Sequence, residues 1–303
     1  MSTVLQFLDA ILKPTVFVFT VSSLFAMGLQ VKMPEVIASL KNKKAMALIF
    51  VWAWVLAPAL GFLIIWVLPL AEPYVIVVLL SSLAPAAPIV PLMVQKARGD
   101  VSFAGVFIPI VMIGAVVLIP LIGPLMVKGL TVSSAALAKP LFVQIGLPLI
   151  IGAAIRHYAG TMATKIFPAV NVLARVVTLL MILITFVLFA QPMLDTFGSL
   201  ALLAATIHVV GMMLITYRFG FGLTQGQRSV MALGNGTRNL AAILAAAFAI
   251  PDVDPRILTH VMMWGLWSFV LAAIAARIFG KQAGDTVAGL GQTIVDRRDR
   301  DTI

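Results

Sequence analysis

The chain contains no cysteine and little charge. With none among its 303 residues, disulfide bonds, thiolate metal sites and cysteine nucleophiles are excluded. Charged residues make up 11% of the sequence and hydrophobic residues 62%, and the mean hydropathy is +1.11. So little polar surface cannot cover a soluble globule of this size. The composition therefore predicts a membrane protein.

Signatures of catalysis are also missing. The sequence contains no HExxH zinc motif, no phosphate-binding P-loop and no GxSxG nucleophile elbow. The run from Gly234 to Gly236 reads GNG, but it lacks the strand and the open helix start of a nucleotide-binding fold. The sequence therefore predicts neither an enzyme nor a cofactor or metal site.

Acidic residues are scarcer than basic ones. Eleven Asp and Glu stand against 21 Lys and Arg, a formal net charge of +10. The basic residues are scattered between apolar runs and are not grouped with stacking aromatics, which argues against a nucleic-acid partner. All acidic residues fall in predicted loops or chain ends, so no carboxylate is expected at mid-depth to bind sodium or relay a proton.

Long apolar segments dominate the sequence, and most of them have at least the roughly 20 residues that a helix needs to cross a bilayer. Because only helices and closed barrels span membranes, segments of this length predict an all-α polytopic protein of nine spans. Its transmembrane domain covers residues 1–280, and a polar tail, expected to be disordered, covers 281–303. The segments are 12–31, 45–68, 73–95, 101–127, 140–155, 167–190, 200–217, 229–250 and 256–279.

The lysines and arginines of the loops predict the orientation. One placement puts nearly all of them on the cytoplasmic side, as the positive-inside rule requires. The N-terminus then lies outside, the C-terminus is cytoplasmic, and a plasma membrane, such as a bacterial inner membrane, is the expected location. The opposite side keeps only Lys13, Lys128, Lys139 and Arg256.

The stretch from Met231 to Ala242 reads MALGNGTRNLAA and lies inside an apolar segment. Glycine weakens a helix, and a charged side chain at bilayer depth costs several kcal/mol. Irregular backbone survives at that depth only where it is buried in protein or lines a watery cavity. The sequence therefore predicts a broken helix here and makes this stretch the first candidate for the functional site.

A second broken helix is predicted in the first half, at the sequence APAAPIVP. Its prolines remove backbone donors and block the helix ladder repeatedly. Each broken segment precedes the last helix of its half, and the predicted topology runs the two in opposite directions. That arrangement is typical of inverted-topology repeats whose discontinuous helices meet near the membrane midplane. The predicted helix-breaking residues are Pro85, Pro88 and Pro91.

Three features together resemble the bile acid:sodium symporter superfamily over residues 16–279. They are the order of the breaks, the ARGD sequence at 97–100 after the proline element, and the alanine-rich helix after residues 234–242. The resemblance implies a core domain, about 73–127 and 200–279 with neighbouring helices, and a panel domain of the remaining helices. It also implies that the broken helices cross in the core and that the substrate binds between the domains. Some members lack the first of ten helices, which matches nine spans.

Residues that coordinate sodium in coupled members of that superfamily are absent here. The serine–asparagine pair of the first crossing helix aligns with Val90 and Pro91, and the glutamate and glutamine of the second align with Ala232 and Gly236. None of these side chains offers an oxygen ligand, and Arg238 would repel a nearby cation. Sodium therefore stays possible as a cofactor, although its expected ligands are missing. The positive charge of the arginine could replace that of the cation.

Arg238 has two interpretations at the sequence level. It could bind the carboxylate of an organic anion, helped by the positive end of the following half-helix. Alternatively, it could hydrogen-bond carbonyl groups that the helix break leaves free. His208, alone on an apolar helix, is interpreted as a hydrogen-bonded packing residue, and Trp264 as either an aromatic cavity wall or a core residue. The full set of candidate substrate-binding residues is Arg238, Asn235, Thr237, Asn239, Gly234, Gly236, Gln95 and Trp264.

Three functions remain open from the sequence. The leading one is a secondary transporter of a small organic anion or amphipathic acid that works by alternating access at the crossing. The second is a proton-coupled or uncoupled exporter or channel with the same fold. The third is a membrane receptor that binds a ligand without transporting it. The expected partners are a small-molecule anion and the lipid bilayer; the substrate, the direction of transport and the oligomeric state stay open.

Overall fold

The computed structural model describes residues 3–126 and 133–300, and its regular elements in that range are helices. Two π-helical stretches, Val51–Leu56 and Phe142–Gly146, each connect two consecutive α-helices. In chain order the α-helices are α1 (Thr3–Gly28), α2 (Met33–Leu40), α3 (Lys43–Phe50), α4 (Ala57–Val67), α5 (Glu72–Ser82), α6 (Val90–Lys96), α7 (Val101–Met126), α8 (Ser134–Leu141), α9 (Leu147–Tyr158), α10 (Gly160–Asp195), α11 (Ala201–Arg218), α12 (Gln225–Gly236), α13 (Leu240–Phe248) and α14 (Pro255–Arg300).

Seven helices in the described ranges are long and apolar enough to cross a membrane, so the protein is an all-α polytopic membrane protein. Each corresponds to one of the nine predicted segments. The other two segments are the broken pairs α5–α6 and α12–α13, which are too short to span as single helices. The seven long helices are Val4–Gly28, Lys43–Val67, Val101–Met126, Ser134–Tyr158, Gly160–Gln191, Ala201–Arg218 and Pro255–Gly284.

Several helix boundaries differ from the sequence prediction. The first span begins at Thr3 instead of residue 12, and the sixth begins at Gly160 instead of residue 167. The fifth span begins at Ser134, six residues before the predicted start, because the Ser133 side chain caps α8 by accepting a hydrogen bond from the Ala136 N–H at 3.2 Å. The last helix continues to Arg300, so the expectation of a disordered tail is wrong for residues 281–300. Lys128 and residues 301–303 lie outside the described residues.

Two groups of packed helices position the site. In one, α1 packs against α9 and α10. The closest approach lies at Gly28 and Gly152, where a Cβ added to either glycine would come within 3 Å of backbone atoms of the other helix. Small residues at such interfaces let membrane helices approach closely. In the other group, α7, α11 and α14 surround the two broken helices.

Candidate functional site at the crossing of the broken helices

The two helix breaks meet in the interior. The first lies between Ser82 and Val90, and the second between Gly236 and Leu240. Pro85 and Arg238 pair as an isolated antiparallel bridge. The Asn239 N–H donates to the Ala84 carbonyl at 2.9 Å, and the Ala86 N–H donates to the Gly234 carbonyl at 2.9 Å. Each break therefore supplies hydrogen-bond partners for backbone groups that the other leaves without helical partners.

Side chains from the second break complete this arrangement. The buried Thr237 hydroxyl donates to the Leu233 carbonyl at 2.8 Å and accepts from the Ala87 N–H at 3.2 Å. Asn239 caps α13, because its side-chain oxygen accepts from the Ala242 N–H at 3.3 Å. Both residues thus support the crossing, while the Asn239 side-chain nitrogen has no partner in the described part of the chain.

The three prolines do not share one role. Pro85 and Pro88 lie within the first break, where the chain is not helical. Pro91 instead occupies the first turn of α6. Proline fits that position because its missing N–H would have no helical partner there. Pro91 therefore lies next to the break and not within it, in the first turn of a half-helix that begins at Val90.

Arg238 lies at the centre of the crossing and is fully buried. Its Nη2 donates to the Asn235 carbonyl, which the helix break leaves free, and to His208 Nδ1 at 3.2 Å. Its Nε and Nη1 have no hydrogen-bond partner among the described residues. None of the acidic side chains that the structure describes is buried, and no described carboxylate pairs with the guanidinium. A buried cation therefore keeps three N–H donors available.

His208 is the partner that sequence analysis missed. It projects from α11, is fully buried, and places Nε2 3.1 Å from the Ala57 carbonyl oxygen. Because a carbonyl oxygen only accepts, Nε2 carries the hydrogen and Nδ1 accepts from Arg238. The imidazole is therefore neutral in this arrangement. The only sequence signal was a lone polar residue on an apolar helix, which did not identify its partner.

An aromatic row extends from this pair along α14. The Trp264 ring lies 5.7 Å from the His208 ring and 5.7 Å from the His260 ring, and Tyr74 lies 5.1 Å beyond His260. Trp264 is fully buried, so it occupies the core beside the Arg238–His208 pair. Several buried polar atoms in this region have no partner within residues 3–126 and 133–300 as described: the side-chain amide of Asn235, both ring nitrogens of His260, Trp264 Nε1 and Ser81 Oγ.

The two candidate glycines serve close packing. A Cβ added at Gly234 would come within 2.1 Å of the Phe107 ring, and one added at Gly236 within 2.2 Å of the Met213 side chain. Their role in this structure is to let α7 and α11 approach α12. Gln95, in contrast, lies near the end of α6 opposite the break, and its side chain is exposed. The structure does not bring Gln95 to the crossing.

The crossing is occluded in this conformation. Residues 229–247 form an almost continuous buried stretch. A surface cavity of about 950 Å³ lies beside α5 and is lined by apolar residues including Phe62 and Leu79, but Arg238 does not line it.

At the surface end of α14, Arg256 donates to both carboxylate oxygens of Asp254 and lowers the pKa of that carboxyl group.

Comparison with known families fits this architecture. The sequence model described as the sodium bile acid symporter family matches residues 17–195, more than half of the chain. The chain belongs to the sodium bile acid symporter family. Membership in this family indicates secondary transport of a solute and a protein that is not an enzyme. The match includes the first helix break and ends before the second. The curated proteins include no significant match to the chain.

Proposed function

We propose that this protein is a secondary transporter of small organic anions and that the anionic group of the substrate binds Arg238 at the crossing. The observation that carries the proposal is a fully buried guanidinium whose Nε and Nη1 find no partner in the part of the chain that the structure describes. A carboxylate would supply the acceptor oxygens and the opposite charge that this group lacks.

The energetic argument favours a ligand over a purely structural role. Arg238 does bond the free carbonyl of Asn235, as the structural interpretation requires, but that contact uses only Nη2. Holding an unpaired cation in a low-dielectric interior costs several kcal/mol. A structural task at one carbonyl does not need a permanent charge. The neighbouring amide of Asn235, which also has no partner, adds donors and an acceptor for a polar substrate.

Alternating access follows from the burial of the site. Because Arg238 has no exposed surface, an anion reaches it only when packed helices separate. We propose that a core of about 73–127 and 200–279 with neighbouring helices moves against a panel that contains α1, α9 and α10. The packing of these three helices on one another supports that division. The core would consist of inverted repeats, each a broken helix followed by a long one.

Sodium has no role in the proposed mechanism. The positions aligned with the sodium ligands of the family hold Val90, Pro91, Ala232 and Gly236, whose side chains carry no oxygen. The proposed orientation has the N-terminus outside and the C-terminus in the cytoplasm of a bacterial inner membrane, because this placement keeps most basic loop residues inside.

Binding and flux of organic acids test the proposal. Purified protein is heated with acetate, succinate, benzoate or cholate, in sodium and in potassium buffer, and the accepted acid is then taken up into proteoliposomes. We expect at least one acid to raise the apparent Tm equally in both buffers, since a ligand that binds the folded state stabilises it. Arg238→Gln should abolish that shift and the uptake. Arg175→Gln, which changes an exposed arginine on α10, is the matched control.

Each alternative has its own outcome in the same experiment. Unchanged uptake by folded Arg238→Gln would assign the arginine a structural role only. Uptake that requires sodium would refute the sodium-independent mechanism. Binding without any flux would identify a receptor, and no shift with any of the four acids would reject the proposed function.

A further inference from the structure

The hydrogen-bond geometry of Arg238 restricts how an anion can bind it. A carboxylate or sulfonate that accepts two parallel hydrogen bonds must use one of the two edges of the guanidinium, and both edges include an Nη2 hydrogen. The two Nη2 hydrogens are already donated, one to the Asn235 carbonyl and one to His208 Nδ1. A two-pronged anion must therefore displace one of these acceptors.

From this geometry we infer that the anion displaces His208 and that His208 then takes up a proton at Nδ1, so that anion and proton bind together. The inference rests on the proposed function, because it needs an anion at Arg238. The proton forms a new N–H bond on Nδ1 and comes from solvent as the site opens. Nε2 keeps its hydrogen and its bond to the Ala57 carbonyl.

The hydrogen bond from Arg238 to His208 keeps a proton off Nδ1 until an anion binds. While Arg238 donates to Nδ1, that nitrogen has no free lone pair, and a second positive charge 3.2 Å from the guanidinium would be strongly repelled. A bound anion frees the lone pair of Nδ1 and weakens the repulsion from the guanidinium. Because such coupling is reciprocal, the proton must in turn raise the affinity for the anion. The empty carrier would then return without a proton, as tight symport requires.

Other charged groups near α11 do not replace His208 in this role. The helices that pack against α11 are α4, α5, α12 and α14. Arg238 is the charged group that contacts His208 among the described residues, and His260 is the second buried imidazole, one aromatic ring away. The remaining titratable groups whose side chains are described on α11 and these helices lie near helix ends or at the surface: Tyr217, Arg218, Glu72, Tyr74, Arg228, Arg256, Arg277 and Lys281.

A permanently ionised probe tests the inference. Benzenesulfonate and taurocholate stay ionised between about pH 5.5 and 8.5, the range in which histidine side chains usually titrate. Any pH dependence of their binding therefore comes from the protein. We expect their affinity for the wild-type protein to rise by up to about tenfold for each unit that the pH falls. Calorimetry in two buffers of different ionisation enthalpy should show the uptake of up to one proton per bound anion, and this measurement requires no variant.

The three histidines of the chain supply the variants. His208→Gln can still accept from Arg238 and donate to the Ala57 carbonyl, but it cannot titrate. We expect its affinity for either sulfonate to be independent of pH and below that of the wild-type protein at low pH, whereas His157→Gln and His260→Gln keep the wild-type affinity and its pH dependence. Binding by the wild-type protein that is equal at all pH values would overturn the inference while the proposed function stands, and so would loss of the pH dependence in His260→Gln alone. Failure of the wild-type protein to bind either sulfonate, or any acid of the earlier panel, would remove the proposed function and the inference together.

Discussion

Individual polar residues hold the crossing together, and Thr237 does so with one hydroxyl group. That hydroxyl accepts from the Ala87 N–H of the first break and donates to the Leu233 carbonyl of its own helix. The first bond joins residues 150 positions apart in the sequence, so it links the two broken helices directly. Leaving a buried N–H without an acceptor costs about 1–3 kcal/mol.

Thr237→Val should therefore destabilise the protein by about 1–3 kcal/mol, because valine keeps the shape and removes the acceptor for the Ala87 N–H. Thermal unfolding in detergent measures the effect. Thr216→Val is the matched control: Thr216 is equally buried, but its hydroxyl bonds only carbonyl groups of its own helix. Equal Tm values for the two variants would show that the Thr237 contact to the first break contributes nothing.

At the scale of whole elements, a break depends on what the helix packs against as well as on proline. Pro109, Pro120 and Pro124 all lie inside α7, which continues from Val101 to Met126 without interruption. Membrane helices tolerate such prolines when neighbouring groups satisfy the freed carbonyls. The break between α5 and α6 is instead fixed by backbone hydrogen bonds to the second broken helix. α12 in turn depends on close contact with α7 at Gly234.

Gly234→Ala should destabilise the protein by about 1–3 kcal/mol, because the added methyl group would overlap the Phe107 ring. Gly105→Ala, on α7 with no atom within 4 Å of the added Cβ, should be neutral or slightly stabilising, as alanine favours the helix. Apparent Tm measures both variants. Combining Gly234→Ala with Phe107→Leu should recover part of the lost stability; if the double variant showed simple additivity, the overlap would not be the cause.

Glu35 connects the short helix α2 to α7. Its carboxylate accepts from Lys32 Nζ at 2.8 Å and from the Ser102 hydroxyl at 3.1 Å, and the Lys32 bond is the main reason that the pKa of Glu35 is lowered. A carboxyl group with a lowered folded-state pKa contributes stability above its unfolded pKa and loses it as the pH falls through the folded value.

Glu35→Gln should therefore lower stability by less than about 1 kcal/mol at neutral pH, since the pair is largely exposed. The difference from the wild-type protein should shrink as the pH falls below the usual pKa of glutamate and vanish below the lowered folded-state pKa, where the wild-type carboxyl group is protonated as well. Thermal unfolding across pH measures the gap, with Glu72→Gln, at an exposed acidic residue, as the control. A gap that stayed constant down to pH 3 would contradict the assignment.

The whole molecule must open for the proposed transport, because the crossing is sealed in this conformation. The chain has no native cysteine, so a single introduced thiol can report access without background labelling. Asn235 is suited to this purpose: it is fully buried, and its side-chain amide makes no hydrogen bond to any residue that the structure describes.

Asn235→Cys in proteoliposomes should react slowly with a membrane-impermeant thiol reagent supplied from either side, since each open state exposes the crossing to one side. An accepted anion should slow the reaction. Ala272→Cys, buried on α14, should stay unreactive. Reaction from one side only, at every substrate concentration, would argue against alternating access. Mass spectrometry of the labelled protein measures the rate.

Local composition was sufficient to predict the class of protein, the nine apolar segments and both helix breaks, and to identify the unusual arginine. Each of these depends on the residues of one segment and on the cost of placing them in a bilayer. The position of Pro91 next to the break was not evident, however, because a proline within a break and one in the first turn of a helix look alike in the sequence. In the same way, the sequence does not distinguish an exposed Gln95 from one at the crossing, or a Gly234 that serves packing from one that binds a ligand.

The pairing of Arg238 with His208 was decided by tertiary structure alone. The two residues are 30 positions apart and lie on different elements, and nothing in either segment predicts which helix faces meet. Periodicity indicates that a side chain is buried, but hydrogen-bond partners depend on how distant helices cross. The sequence by itself therefore determined that a cation lies within the membrane, and the packing of α4, α11 and the broken helices determined which of its N–H groups remain available to a ligand.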